Sequence, residues 1–97
     1  MSVYVIAGLN ITNPTGYQDY ATAALTSLAK FGVKALAVSD APVALEGQSP
    51  FTRYVLLEFP DQAAAQAWYD SPEYQAAVPL RQANAETGFL VAVPGLG

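Results

Sequence analysis

Arg53-Tyr54-Val55-Leu56-Leu57-Glu58-Phe59 is the stretch on which the fold turns. Apolar residues dominate it, and Pro60-Asp61 closes it, so it reads as a strand. Its alternate positions separate into Val55, Leu57 and Phe59 on one face and Tyr54, Leu56 and Glu58 on the other. Both faces are apolar except at Glu58. Working outward, Val3 to Ile11 repeats the pattern without a charge, with Val3, Val5, Ala7 and Leu9 against Tyr4, Ile6 and Gly8. Thr87 to Val93 repeats it again, with Phe89, Val91 and Val93 against Leu90 and Ala92. Val33 to Val38 reads as a further strand. Ser39 to Pro50 then reads as a loop whose Ala41 to Glu46 portion can extend that strand.

Helical patterns separate these strands. Asn13 is a candidate cap with Pro14 as first helical residue, and Thr15 is the alternative cap. Tyr17, Tyr20, Ala21, Ala24, Leu25, Leu28 and Phe31 follow at spacings of three and four, on one stripe, and Gly32 ends it. Asp61 caps a helix through Tyr69. Ser71-Pro72 starts a short one that carries Tyr74, Ala77, Val78 and Arg81 on one face, and Pro79 is expected to kink or end it. Pro94-Gly95-Leu96-Gly97 reads as a loose end.

The order strand, helix, strand, strand, helix, strand is the split βαβ arrangement. It predicts an α+β, ferredoxin-like βαββαβ sandwich over residues 1–97 as one domain, with one antiparallel sheet and both helices on one face. The other sheet face would then be an apolar patch too large for a typical monomer. We expect a second copy of the chain to cover it, sheet against sheet.

Composition narrows the chemistry. The 97 residues are 53 % hydrophobic and 12 % charged, with four Lys and Arg, eight Asp and Glu, a net charge of -4, and no histidine or cysteine. Disulfides, thiolate nucleophiles, thiolate or histidine metal sites and histidine-based triads are therefore excluded. So few basic residues argue against nucleic acid as a partner. No phosphate loop or calcium-loop spacing is present, and no metal or cofactor is expected. The start, Met1-Ser2-Val3-Tyr4-Val5-Ile6-Ala7-Gly8-Leu9, has no basic residue before its apolar run. No apolar stretch approaches the ~20 residues that span a bilayer. A cytoplasmic protein without membrane contact is the expectation.

Ala67-Trp68-Tyr69-Asp70-Ser71-Pro72-Glu73-Tyr74-Gln75, followed by Arg81, resembles the hallmark of the DUF1330 family, a domain of unknown function. Tyr17-Gln18-Asp19-Tyr20, Leu45-Glu46-Gly47 and Arg53 through Glu58-Phe59-Pro60 resemble its other segments, in order, over nearly the whole chain. One departure is Phe31-Gly32-Val33-Lys34, where the family often has a Tyr-Gly-Gly-Arg-like turn. The resemblance implies a dimeric α+β barrel, two ferredoxin-like protomers packed through their sheets. That superfamily includes cofactor-free monooxygenases, isomerases, cyclases, haem enzymes and ligand-sensing domains, so the fold does not give the function.

Candidate site residues follow from residue chemistry and from these motifs. Tyr20, Tyr69 and Tyr74 recur in the family-like segments, and a buried phenol can donate to a carbonyl or enolate. The plainer reading is a core ring with a polar handle. Arg81 can grip a carboxylate or phosphate, and Glu58 can act as a base if burial raises its pKa. The plainer reading is an ion pair of Glu58 with an arginine, or a solvated Glu58. Arg53 and Glu58 lie an odd number of positions apart, so they cannot pair within their strand. Trp68, with Tyr69 and Phe31, is either a wall for a planar ligand or simply core. The expected assignment is Tyr20, Glu58 and Tyr69 as catalytic, with Arg53, Trp68, Tyr74 and Arg81 as ligand contacts. The function expected is a metal-free small-molecule enzyme, monooxygenase-, isomerase- or cyclase-like, with its pocket between sheet and helices. The alternative is a non-catalytic small-ligand binding or sensing module. Acylphosphatases share the element order, but they need an early arginine in a phosphate loop, and the first arginine here is Arg53.

Overall fold

The structure is a computed structural model and describes residues 1–96. Its elements are β1 (Val3–Ile11), α1 (Pro14–Leu28), β2 (Lys34–Ser39), β3 (Arg53–Phe59), α2 (Gln62–Asp70), α3 (Pro72–Asn84) and β4 (Ala85–Pro94). The strands form one sheet in the order β2-β3-β1-β4, with every neighbouring pair antiparallel. This is the expected α+β ferredoxin-like arrangement, with three helices where the element order implied two. No helix among the described residues is long and apolar enough to cross a membrane.

Local chemistry explains the helix boundaries. The Asn13 side chain accepts from the Gly16 N–H at 3.4 Å, so Asn13 and not Thr15 caps α1. The Asp61 carboxylate accepts from the Ala64 N–H at 2.7 Å and caps α2. Ser71 divides the second helical segment in two. Its Oγ donates to the Trp68 carbonyl at 2.7 Å, closing α2, and accepts from the Tyr74 N–H at 3.2 Å, opening α3. Pro79 does not end α3, which continues to Asn84. Proline removes one backbone donor there. It sits on the exposed side of the helix, while the stripe Tyr74, Ala77, Val78 and Arg81 stays buried and holds the helix down.

The strand ends also differ from expectation. β4 starts at Ala85, directly after α3, and the Asn84 carbonyl accepts from the Thr12 and Asn13 N–H groups at 2.9 and 3.1 Å. Residues 41–46 do not extend β2, because β3 begins only at Arg53 and offers them no partner. The end of the chain is not loose as far as Gly95, whose N–H donates to the Ser2 carbonyl at 2.8 Å. Gly97 lies outside the described residues. In the turn after α1, Gly32 has φ 63°, a conformation only glycine adopts without strain.

The period of two assigns each side chain to a face. Val3, Val5, Ala7, Leu9, Leu57 and Phe59 point towards the helices and form the core with Tyr17, Tyr20, Trp68, Tyr74 and Ala77. Tyr4, Ile6, Tyr54, Leu56, Phe89, Val91 and Val93 share the opposite face by register. Phe51 lies across that face against Phe89, with ring centroids 5.7 Å apart. Gly88 makes room for it, since a Cβ there would fall 1.8 Å from the Phe51 ring. The Cα envelope is only 16 Å in its shortest dimension, which accommodates one sheet and one helical layer.

Phe59 is fully buried, with its ring centroid 5.4 Å from that of Trp68. Phe59→Ala is expected to lower the unfolding free energy by about 3–5 kcal/mol, measured by urea denaturation. A loss under about 1 kcal/mol would contradict this placement of the core.

Candidate functional site

Four rings and one guanidinium meet where α1 and α3 cross above the sheet. Tyr17 and Tyr20 are one helical turn apart on α1, with centroids 5.2 Å apart. The Tyr20 hydroxyl shares a hydrogen bond of 2.8 Å with the Tyr74 hydroxyl on α3. Arg81 lies two turns further along α3, so its side chain stacks on the same face as Tyr74. Its Nη1 donates to the Tyr74 hydroxyl at 2.7 Å, and its guanidinium carbon stands 5.9 Å from the Tyr20 ring centroid. Trp68, from α2, packs its ring 4.1 Å from that of Tyr74. The Trp68 indole N–H donates to Ser27 Oγ at 3.0 Å, and Ser27 Oγ donates to the Ala24 carbonyl at 2.6 Å. Both polar groups of that buried pair are thereby satisfied.

The electrostatics are those of a buried cation among neutral phenols. Burial first, and then the neighbouring Tyr20 phenol, push the Tyr74 pKa well above the ordinary tyrosine value. Burial, followed by Tyr20, also raises Tyr17. Tyr74 therefore keeps its proton throughout the physiological range and is not a base. Arg81 is only 7 % exposed. It forms no ion pair with a carboxylate among the described residues, and its Nε–H is the one buried side-chain polar atom there without a hydrogen-bond partner. Its place in the last turn of α3 gives it some support from the helix dipole.

Arg53 is held differently. It forms a two-pronged pair with Asp40, through Nε to Oδ1 and Nη2 to Oδ2, the latter at 2.8 Å, and stands 5.5 Å from the Tyr17 ring centroid. The Arg53 hydrogen bond holds the Asp40 carboxyl below the ordinary carboxylate range.

A cavity of about 140 Å³ opens beside this cluster, between α1 and the β2–β3 half of the sheet. The small side chains Ala21 and Ala24 line it from α1, with Leu57 and Val55 opposite and Arg53 and Arg81 in its wall. Leu25, 63 % exposed, and Val38, 58 % exposed, flank its open side. A second recess of about 270 Å³ lies between α2 and β4. Arg81, Trp68, Val5 and Leu90 line both hollows.

The structure therefore brings Tyr20, Trp68, Tyr74 and Arg81 into contact, with Arg53 joined through Tyr17. Tyr69 sits at the outer rim, 37 % exposed, with its ring 5.7 Å from that of Tyr74. Glu58 is elsewhere. By register it faces Tyr4 and Lys34 on the side of the sheet away from the helices. It pairs with neither arginine, which corrects the expected ion pair, because Arg53 takes Asp40 and Arg81 takes the Tyr74 phenol. Sequence reasoning gave no site role to Tyr17, Ser27 or Asp40. The spacing of Tyr17 from Tyr20 signals the first. Asp40 meets Arg53 through the β2–β3 register, with Ser39 opposite Tyr54, which the sequence does not signal.

The family model described as "Domain of unknown function (DUF1330)" matches residues 2–96. No curated protein matches the sequence. Among solved structures, a protein of unknown function from Rhodopseudomonas palustris is 18 % identical with a TM-score of 0.79, over 99 % of this chain and 83 % of that one. A dimeric ferredoxin-like protein of unknown function from Jannaschia sp. is 17 % identical with a TM-score of 0.74, over 98 % of this chain and 100 % of that one. SnoaB, a cofactor-independent oxygenase from Streptomyces nogalater, is 9 % identical with a TM-score of 0.70, over 99 % of this chain and 94 % of that one. At these identities the likeness is one of fold.

The hydrogen-bond geometry sets a hierarchy of losses. Tyr74→Phe removes the acceptor of a buried cation and should cost about 1.5–3 kcal/mol. Tyr20→Phe should cost less, because Tyr74 still serves Arg81. Equal losses in urea denaturation would contradict this hierarchy. Asp40, with its native pKa depressed, stabilises the fold above its ordinary value of 3.8, and that contribution disappears as pH falls through the lower native value. Asp40→Asn should therefore lower stability at pH 7 and flatten its decline below pH 3.8, whereas an unchanged acid limb would exclude the pair's contribution.

Proposed function

We propose a function from one premise: the chain belongs to the DUF1330 family, a domain of unknown function. The chain acts as one α+β domain, pairs with a second copy through the open faces of the two sheets, and binds a small molecule between its sheet and helices. The observation that carries the binding reading is the cavity wall. An apolar hollow lies against a buried guanidinium that has no carboxylate partner among the described residues. Protein interiors are close-packed and leave few voids, and a buried cation without a counter-charge costs several kcal/mol. A ligand in the cavity relieves both.

The second copy is supported by the open face itself. Tyr4, Ile6, Tyr54, Leu56, Phe89, Val91 and Val93 lie on the side that no helix covers, and apolar patches of that kind mark interfaces. The Jannaschia sp. neighbour of the same fold is described as dimeric.

Binding fits the site's chemistry better than proton abstraction does. Glu58, the carboxylate expected as base, faces the other side of the sheet, and burial keeps the Tyr74 phenol protonated. The cavity wall thus carries positive charge and no carboxylate. A metal-free enzyme is the second reading. It is favoured by Arg81 and Tyr20 in the cavity wall, since a cation beside a phenol is an arrangement that stabilises a developing oxyanion, and by the fold-level likeness to the protein described as a cofactor-independent oxygenase.

Sedimentation tests the assembly. The wild-type chain should run as two copies at micromolar concentration. Leu56→Asp, on the open face, should yield folded monomers, and Leu57→Asp, in the core, should fail to fold. A wild-type monomer, or a stable dimer from both variants, would overturn the arrangement.

A further inference from the structure

We infer that the cavity beneath α1 takes a small monocarboxylate with an apolar body, its carboxylate seated against the exposed edge of the Arg81 guanidinium. The inference rests on the small-molecule reading above and names the class of ligand.

Charge balance comes first. Arg81 remains a full cation in any protein environment, and it is more than nine-tenths buried. Its hydrogen-bonded neighbour is the Tyr74 phenol, a neutral group, and the Tyr20 ring centroid stands 5.9 Å from its guanidinium carbon, so no carboxylate faces it. The other guanidinium in the wall, on Arg53, already carries a carboxylate from Asp40. One positive charge is left over inside the cavity wall, so the matching ligand carries one negative charge.

Donor count and volume narrow the class further. Arg81 is the one guanidinium in the cavity wall without a carboxylate partner among the described residues. A phosphate, with up to two charges and more acceptor oxygens, would find too few donors here, whereas a carboxylate is matched by a guanidinium edge. The rest of the wall near Arg81 is apolar, with Val5, Leu9, Leu57 and Leu90. The volume of about 140 Å³ compares with the roughly 150 Å³ apolar cavity that admits benzene. The body of the ligand is thus aromatic-ring-sized or smaller and faces the aliphatic wall, with Trp68 at its edge.

A nitrogen-15 and methyl NMR titration with defined probes tests the inference. Benzoate and phenylacetate are compared with their neutral amides, benzamide and phenylacetamide. The carboxylates should shift the Arg81 Nε–H, the Trp68 indole N–H and the Val38 methyls together and saturably. They should bind at least about tenfold more tightly than the amides. Arg81→Gln should abolish that preference. If the variant does not fold, the wild-type comparison of acid with amide is decisive by itself. Acids and amides that shift the same cavity resonances with equal affinity would leave the pocket standing and overturn the carboxylate. If no probe moves the cavity resonances, the pocket reading falls, and this inference with it.

Discussion

A four-stranded sheet that is apolar on both faces, in a chain that supplies helices for only one, is the constraint on which the rest depends. Side chains alternate strictly along a strand, so no repacking can bring Leu56 to the core without removing Leu57 from it. The helix-facing set, from Val3 to Phe59, receives α1, α2 and α3 and forms the core. The opposite set, from Tyr4 to Val93, keeps its apolar character with no helix of the same chain above it. The same alternation separates Arg53 from Glu58. It sends the arginine to the cavity wall and the glutamate to the far face, and so decides which charges can take part in the site.

The site is a consequence of how the helical layer covers its face. α1 rests against α3 through Tyr17, Tyr20 and Tyr74, and its alanines meet the β2–β3 half of the sheet without filling the gap. The contact that closes one side of the layer therefore leaves a hollow under the other. Arg81 stands at the boundary between the two. Its burial is tolerable because Tyr74, two turns earlier on the same helix, offers a phenol oxygen at 2.7 Å, and Trp68, anchored through Ser27, keeps that phenol in place. Each of these groups sits on a helix and not on a loop, which fixes the geometry that a small ligand would meet.

Much of this was legible in the residues. Three of the four strands declared themselves because two-faced apolar alternation leaves few other readings, and the β1 and β3 bounds agree with the structure. The cap at Asn13 and the break at Ser71-Pro72 were legible because capping is local chemistry. Pro79 was not, because its effect depends on which side of α3 faces water. The 41–46 segment was not, because a strand needs a partner and β3 starts too late to give one. In the site, Tyr74 and Arg81 share a face of α3 as their spacing implied, whereas the contacts of Tyr20 and Trp68 with Tyr74 depend on how the helices pack. The partner of Arg53 depended on hairpin register, and β2 carries an irregularity between Ala35 and Ala37 that composition does not reveal. The cavity was hidden for a related reason. Ala21 and Ala24 read as members of a packed stripe, and only the distance between α1 and the sheet turns their small size into open space.

Isotope-filtered NMR on a mixture of carbon-13-labelled and unlabelled chains tests the uncovered sheet face most directly. Two copies packed sheet against sheet predict NOEs between protomers that join the methyl groups of Ile6, Leu56, Val91 and Val93, all on the face opposite the helices. Interprotomer NOEs confined to the helix side, or none from these methyls under conditions where the chain sediments as two copies, would contradict that packing.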